Sequence, residues 1–206
     1  MTLEDIRNAL PRYVSDKRMG HVLSVEEECA RLAALYGIKG EALVGLRRAA
    51  LLHDVTHERS FEEQKALCAL YGYPLNEADL ASPAVLHQFT GALVASDVFG
   101  LSEKDAEAIS CHTTGKAEMT TEELILCIAD FIEPTRPYPS CKELRALFYR
   151  HYLPENRERL LEECMLRYTE NSVGHLRAQG KIIHPLTLEA LDFYKNKLGN
   201  YQILKP

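Results

Sequence analysis

The seven residues AALLHDV at positions 49–55 carry more structural information than any other run in this chain. Alanine and leucine are strong helix formers, so the run predicts a buried helix that reaches a pocket near His53 and Asp54. An adjacent imidazole and carboxylate can bind one metal ion together, and the second carboxylate oxygen can bridge to another. A His-Asp pair also arises often by chance, so its meaning depends on what the rest of the chain places beside it.

Helical patterns dominate on both sides of this run. Apolar residues recur every three or four positions before Gly37, which is expected to end its helix in a left-handed conformation. Ser60 with Glu63 has the spacing of a capping box, and Ser102 and either Thr120 or Thr121 are further helix starts. The helices predicted are 22–37, 41–55, 61–72, a helix begun by Pro83 through 84–100, 103–112 and 122–132.

The C-terminal part of the chain continues in the same way. Three prolines make PTRPYP at 134–139 a rigid, non-helical segment. Helices are predicted near 140–150, 155–178 and 187–198, and nowhere do Val, Ile and Thr alternate long enough to indicate a sheet. We therefore predict one all-α domain over residues 1–206, with a metal-site core at about 18–136 and C-terminal helices at 140–200.

Composition excludes several classes of partner. The 206 residues carry a formal charge of −6, and Lys and Arg are dispersed, so a nucleic-acid duplex is not expected. The start of the chain is unlike a secretory signal, and no apolar run approaches the roughly 20 residues of a membrane span. The six cysteines contain no C-x-x-C pair, which favours buried free thiols and a cytoplasmic location over disulfides or a zinc ribbon.

Four further residues extend the His-Asp pair into a candidate metal centre, and each lies at the end or on the face of a predicted helix. Facing helices of a bundle build dinuclear centres in this way, and imidazole with carboxylate suits iron, manganese, zinc or nickel. Taken singly, a histidine among apolar neighbours is more often a hydrogen-bonded structural residue. An aspartate flanked by apolar residues should instead be exposed, paired or metal-bound. The six candidates are His21, His53, Asp54, His87, His112 and Asp130.

The order of these residues resembles the HD superfamily of metal-dependent phosphohydrolases. Five strings look more narrowly like the YqeK-like group, which are bacterial symmetrical bis(5′-nucleosyl)-tetraphosphatases. The resemblance extends from Arg18 to the last helix and implies an HD-type helical bundle with a dinuclear metal site. It also implies hydrolysis of diadenosine tetraphosphate to two ADP by a hydroxide held between two metal ions. The strings are RMGH at 18–21, LLHD at 51–54, HQFTGA at 87–92, HTTG at 112–115 and ADFIEPTRPYP at 129–139.

The resemblance also assigns roles to individual residues. It implies two transition-metal ions, most often iron, with manganese, nickel or zinc as alternatives. One ion would be bound by His21, His53, Asp54 and Asp130, and the other by His87 and His112, with Asp54 bridging. Asp54 and Arg136 would take part in catalysis, and the residues expected near the substrate are Arg18, Thr113, Thr114, Gly115 and Arg136. His57, where this chain departs from the family pattern, is a further catalytic candidate.

Several alternatives stay open at this point. His57 stands where such proteins commonly carry lysine, and it could contact phosphate, donate a proton or face solvent. Thr113 and Thr114 could instead cap a helix, and Arg136 could be a surface residue. The polar helix at 155–178 could cover the core or form a homodimer interface. Alternative functions are hydrolysis of a nucleoside monophosphate or signalling nucleotide, nucleotide sensing with little turnover, and a purely structural helical module.

Overall fold

The described part of the chain is built from helices, as the sequence predicts. The computed structural model describes residues 1–199, which are 73% helical and contain no strand. Two short 3-10 turns span Leu10–Arg12 and Pro83–Val85. The α-helices are α1 (Leu3–Ala9), α2 (Asp16–Tyr36), α3 (Gly40–Leu52), α4 (Phe61–Leu70), α5 (Glu77–Ala81), α6 (Leu86–Phe99), α7 (Glu103–Ser110), α8 (Thr121–Ile132), α9 (Pro139–His151), α10 (Arg157–Ala178) and α11 (Pro185–Leu198).

Capping residues set most of these boundaries. Ser60 and Glu63 satisfy each other's backbone N–H groups at the start of α4, which confirms the capping box. Thr120, not Thr121, begins α8 in the same manner, and Ser102 caps α7. Gly37 ends α2 with a φ of 72°, the left-handed conformation that glycine adopts without a Cβ penalty.

Some boundaries differ from the predictions. α2 begins at Asp16, six residues early, because the Ser15 side chain accepts from the backbone N–H of Arg18 and supplies a cap. Pro139 lies in the first turn of α9 and not in a non-helical segment, since that position needs no N–H donor. The short helices α1 and α5 were not predicted, because five to seven residues are too few to show a helical period.

α8 lies at the centre of the structure. Its residues are apolar on almost every side, and Leu124 through Ala129 are all buried, as expected for a helix surrounded by protein. It packs against α2, α3, α7, α9 and α10. α10 turns an apolar stripe that includes Leu160, Cys164 and Met165 toward this core, so the polar helix at 155–178 covers the core. A homodimer interface on its outer face stays a prediction.

The cysteines behave as the sequence predicts. All six are free and buried, where thiols pack as small apolar groups. Within residues 1–199, none of the helices has the length and apolar character needed to cross a membrane.

Candidate metal centre

The fold brings the six candidate ligands to one place from five elements. His53 and Asp54 lie in the turn that follows α3, and His112 lies in the turn that follows α7. His21, His87 and Asp130 lie on α2, α6 and α8. Side-chain nitrogen and oxygen atoms within 4.8 Å of one another form three overlapping groups: His21, His53 and Asp54; His53, His112 and Asp130; and Asp54, His57 and His87.

Three of the histidines are held in the same orientation by their own backbone. The Nδ1 atoms of His53, His87 and His112 lie 2.7, 2.8 and 2.7 Å from the carbonyl oxygens three residues earlier in the chain. A carbonyl oxygen only accepts, so each Nδ1 must carry the proton and each neutral ring has its lone pair on Nε2. Those three Nε2 atoms face the cluster.

The Nε2 atoms converge without enough donors to satisfy them. His87 Nε2 and His112 Nε2 are 3.2 Å apart, and the Thr113 hydroxyl, 3.1 Å from both, has one proton to donate. The Nε2 atom of His53 is buried and makes no hydrogen bond. Lone pairs placed this way are destabilising unless a cation receives them, and neutral imidazole with carboxylate is a donor set for a divalent transition metal. The cluster therefore fits metal ions.

The Asp54 carboxylate stands between two sets of histidines. Its Oδ2 is 3.6 Å from His21 Nε2 and 3.3 Å from His53 Nε2. Its Oδ1 is 3.5 Å from His87 Nε2 and 4.0 Å from His112 Nε2. A carboxylate that offers a different oxygen to each set has the arrangement required of a bridging ligand.

His21 is held by two carboxylates. Its Nε2 lies 2.9 Å from Asp130 Oδ1, and its Nδ1 lies 3.1 Å from Glu133 Oε1. Burial alone would lower the pKa of His21, but the two carboxylates outweigh it and raise that pKa to about 9. A second carboxylate behind a ligating histidine orients the ring and increases its basicity.

Burial decides the charge of the His87 and His112 imidazoles. It lowers the pKa of both His87 and His112 to about 4, so both rings are neutral at pH 7 and able to bind a cation. Burial by itself would raise the pKa of the Asp54 and Asp130 carboxyls. Neighbouring groups outweigh burial and hold both pKa values well below the usual range: the imidazoles around Asp54, and the Arg136 guanidinium beside Asp130.

Two arginines contact the site carboxylates and line a cavity. Arg18 Nη1 is 2.8 Å from Asp54 Oδ2, and Arg136 Nη2 is 2.5 Å from Asp130 Oδ1. Arg136 is thus part of the cluster and not a loose surface residue. Both arginines, with Lys17, His21 and the carboxylates Glu58 and Glu133, line a cavity of about 440 Å³, which we call the basic cavity.

His57 lies at the edge of the cluster. Its ring centroid is 4.6 Å from that of His87, its Nε2 is 3.4 Å from Arg18 Nη2, and its Nδ1 is buried without a partner. The residue is half-buried, so it does not simply face solvent. Burial lowers its pKa to about 4, so at pH 7 it does not supply the fixed positive charge of a lysine.

Beyond His112, the HTTG loop has one residue at the cluster and two in the interior of the protein. Thr113 contacts the cluster, but Thr114 is fully buried, with its hydroxyl bonded to Gln88 and to the Gly115 carbonyl. A Cβ on Gly115, whose φ is 67°, would lie 2.2 Å from Met165 Cε. Thr114 and Gly115 are therefore buried inside the loop, and neither threonine begins a described helix. Their place near a substrate stays a prediction.

Two residues of the site were not identified from the sequence. Gln88 accepts from the backbone N–H groups of Thr113 and Thr114 and so holds the HTTG loop beside His87. Glu133, which is fully buried, holds His21. Each had a weak signal, because Gln88 follows His87 in a run of apolar residues and Glu133 directly follows the apolar run of α8.

Comparisons with known proteins agree with this geometry. The sequence profile of the HD domain family matches residues 18–135. A symmetrical bis(5′-nucleosyl)-tetraphosphatase of Bacillus subtilis is 26% identical over 188 residues, which cover 91% of this chain and 94% of the relative. An enzyme of that name from Halalkalibacterium halodurans is 29% identical over 136 residues, covering 65% and 70%. A Clostridium acetobutylicum crystal structure, described as a predicted HD superfamily hydrolase involved in NAD metabolism, superposes with a TM-score of 0.85 at 28% identity, covering 96% of this chain and 98% of that one.

Proposed function

The chain belongs to the HD domain family, and from that premise we propose that it is a metal-dependent hydrolase that splits diadenosine tetraphosphate symmetrically into two ADP. Relatives bearing the name of this activity match over most of the chain. These relatives are 24–29% identical to the chain, and the proposal is argued from the site as well as from their names.

One observation carries the proposal. The Nε2 lone pairs of His53, His87 and His112 converge on the two oxygens of Asp54 with too few protons to satisfy them. Protein interiors pair their buried polar atoms, so an unpaired set of this kind indicates that a cation completes it. The basic cavity opens beside this set and offers positive charge to a phosphate chain.

We propose two metal ions, with iron as the first choice. His21, His53, Asp54 and Asp130 would hold one ion, and His87 and His112, sharing Asp54, would hold the other. Bound there, such ions would act as Lewis acids that offset phosphate charge and lower the pKa of water toward about 7.

The chain's own side chains have three tasks in this reaction. Arg136 and Arg18, which line the basic cavity, hold phosphate oxygens and offset the charge that develops on the leaving oxygen. Asp54 and the histidines fix the position of the cations. His57, neutral at pH 7, serves as a contact at the edge of the cluster. The oxygen of water bonds to one inner phosphorus, and the bond between that phosphorus and the central bridging oxygen breaks. The half that keeps the bridging oxygen leaves as ADP, and the half that gained the water oxygen is the second ADP.

We also propose that the protein works in a reducing cytoplasm, since all six cysteines are free. The proposed partners are a dinucleoside polyphosphate and its ADP product.

The proposal is tested by metal removal and two variants. Chelator-treated protein is expected to be inactive and to recover with added Fe²⁺ or Mn²⁺. Asp54→Ala should lose activity together with bound metal, whereas Arg136→Ala should keep its metal and lose mainly turnover, by about 10²-fold. An Asp54→Ala protein with full metal content and full rate would exclude the assignment. A panel that includes nucleoside monophosphates and NAD identifies any better substrate.

A further inference from the structure

A buried polar network joins α4 and α6 to the turn at 53–57, which carries the His-Asp pair. Its members are Thr56 in the turn, Gln64 on α4 and Thr90 on α6, and all three side chains are buried. The Gln64 amide donates to the Thr56 carbonyl oxygen at 2.7 Å, and the hydroxyls of Thr56 and Thr90 are 2.8 Å apart. The Thr90 hydroxyl donates in turn to the side-chain carbonyl of Gln64. These bonds close into a ring, which we call the Thr-Gln network.

α6 passes directly against this turn at Gly91. A Cβ at that position would lie 3.1 Å from the His53 carbonyl oxygen and 3.6 Å from the Thr56 hydroxyl, so a side chain there would crowd the turn. The Thr56 hydroxyl also lies 3.2 Å from the His87 carbonyl oxygen. The glycine and the hydrogen bonds together fix the distance between α6 and the residues that follow α3.

That distance concerns one of the two proposed metal ions more than the other. The second ion is the one that His87 and His112 would hold together with Asp54. His87 lies on α6, and its Nε2 is 3.5 Å from Asp54 Oδ1 in the turn. The next residue of α6, Gln88, holds the loop that contains His112. Both histidines of the second ion therefore depend on where α6 lies, whereas the ligands of the first ion lie on α2, α8 and the turn.

We propose that Thr56, Gln64 and Thr90 are positioning residues that set the affinity for the second metal ion and leave the affinity for the first unchanged. This inference rests on the two-ion site of the proposed function. The three residues act through His87, because their hydrogen bonds hold α6 against the turn that carries Asp54. Burial of apolar surface is non-directional, whereas a hydrogen bond weakens steeply when it is misaligned. A buried network whose members are all paired therefore makes this contact rigid.

Thr90→Val tests the proposal, because valine has nearly the shape of threonine and lacks the hydroxyl. Loss of a group that supports a metal ligand typically weakens metal binding about 10–100-fold. In Thr90→Val the dissociation constant of the second Mn²⁺ ion should therefore rise about tenfold or more, while that of the first ion changes less than about threefold. Thr90→Ser keeps the hydroxyl and should bind both ions within about threefold of the wild-type protein.

Gln64→Leu is a second variant of the network that is expected to fold. Without the amide, the Thr56 carbonyl keeps its bond from the Arg59 N–H at 3.1 Å, and the Thr90 hydroxyl can donate to the Leu86 carbonyl at 3.1 Å. No hydrogen-bonding group of the two threonines is then left without a partner, but α4 no longer bonds to the turn. The second ion alone should bind more weakly, as in Thr90→Val.

Thr169→Val is the matched control. Thr169 on α10 is also fully buried, but its hydroxyl bonds to the Met165 and Leu166 carbonyl oxygens of its own helix. Its removal costs a buried hydroxyl without affecting the contact between α6 and the turn. Both metal dissociation constants should stay at their wild-type values, whatever the change in the free energy of unfolding.

Calorimetric titration of chelator-treated protein with Mn²⁺ gives both dissociation constants without turnover. The electron paramagnetic resonance signal of a spin-coupled manganese pair reports occupancy of the second site, and it should be lost first in Thr90→Val as the manganese concentration is lowered. If the wild-type protein binds two ions but does not split the tetraphosphate, the proposed substrate fails, and the network is still judged by metal binding.

Three results would overturn the inference. Equal weakening of both ions in Thr90→Val and Gln64→Leu would mean that the network supports the fold only. Unchanged binding of the second ion in both variants would mean that α6 does not need the network to hold His87. A wild-type protein that binds a single ion per chain would overturn the inference together with the two-ion site.

Discussion

Glu133→Gln tests whether the buried carboxylate behind His21 sets the affinity for metal. Glu133 accepts hydrogen bonds from His21 Nδ1 at 3.1 Å and from the Thr135 N–H and hydroxyl, each at 2.6 Å. A glutamine amide can accept on one side only, so its NH₂ group would meet a donor of Thr135. The contacts of Glu133 lower its own pKa to about 2 despite burial, so the group is charged at neutral pH.

The expected losses follow from those three bonds. A hydrogen bond to a charged group is worth about 1.5–3 kcal/mol, and glutamine forfeits the charge and at least one bond. The free energy of unfolding should therefore fall by about 2–3 kcal/mol. Only the bond to His21 acts on the metal, and removing such a carboxylate typically weakens metal affinity by about 10–100-fold.

Two measurements and two controls separate these effects. Mn²⁺ affinity comes from competition with a chromophoric chelator, and stability comes from urea unfolding. Thr135→Ala keeps the bond to His21, so it should lose about 1 kcal/mol of stability and keep metal affinity within about threefold. Glu27→Gln, an exposed residue of α2, should change neither. If Glu133→Gln lost stability but bound metal as tightly as wild type, Glu133 would be a structural residue only.

Three further predictions concern the loop, the edge of the cluster and pH. Gly115→Ala, with its positive φ and the methionine contact described above, should lower the free energy of unfolding by about 1–3 kcal/mol; an unchanged urea midpoint would contradict this. His57→Lys adds a fixed charge and should lower KM for the tetraphosphate about three- to tenfold, an effect that 0.5 M KCl should largely remove; an effect indifferent to salt would argue against a phosphate contact. In chelator-treated protein, His87 and His112 have pKa values of about 4 in the folded state, below the ordinary 6.5 of the unfolded state. As the pH is lowered from 6.5 to 4, the unfolded chain therefore binds protons that the folded protein does not, and the free energy of unfolding should fall. The pKa of His21 is instead raised to about 9, so the stability that it contributes is fully present below pH 6.5 and is lost as the pH rises to 9. A free energy of unfolding that stays constant from pH 4 to 9 would contradict both expectations.

Local sequence was sufficient for the elements that carry the site. Ser60, Ser102 and Thr120 mark helix starts, because each side chain accepts a hydrogen bond from the backbone N–H three residues later. Such a bond depends only on the local sequence. The apolar run at 49–55 predicts burial. His53 and Asp54 at its end are then buried as well, and a buried imidazole and carboxylate need hydrogen-bonding, charged or metal partners. These constraints need no knowledge of distant residues.

The contacts between elements could not be predicted in this way. Glu133 and His21 are 112 positions apart, and a helical period shows which face is buried but not what it meets. The same limit concealed Gln88, which holds a loop 25 residues away.

The most direct test of the central claim is product analysis after diadenosine tetraphosphate is incubated with anaerobically purified protein whose bound metal has been counted. We expect ADP as the sole product, with about two metal ions per chain. ATP plus AMP would mean asymmetric cleavage, and no product despite two bound metal ions would contradict the proposed substrate.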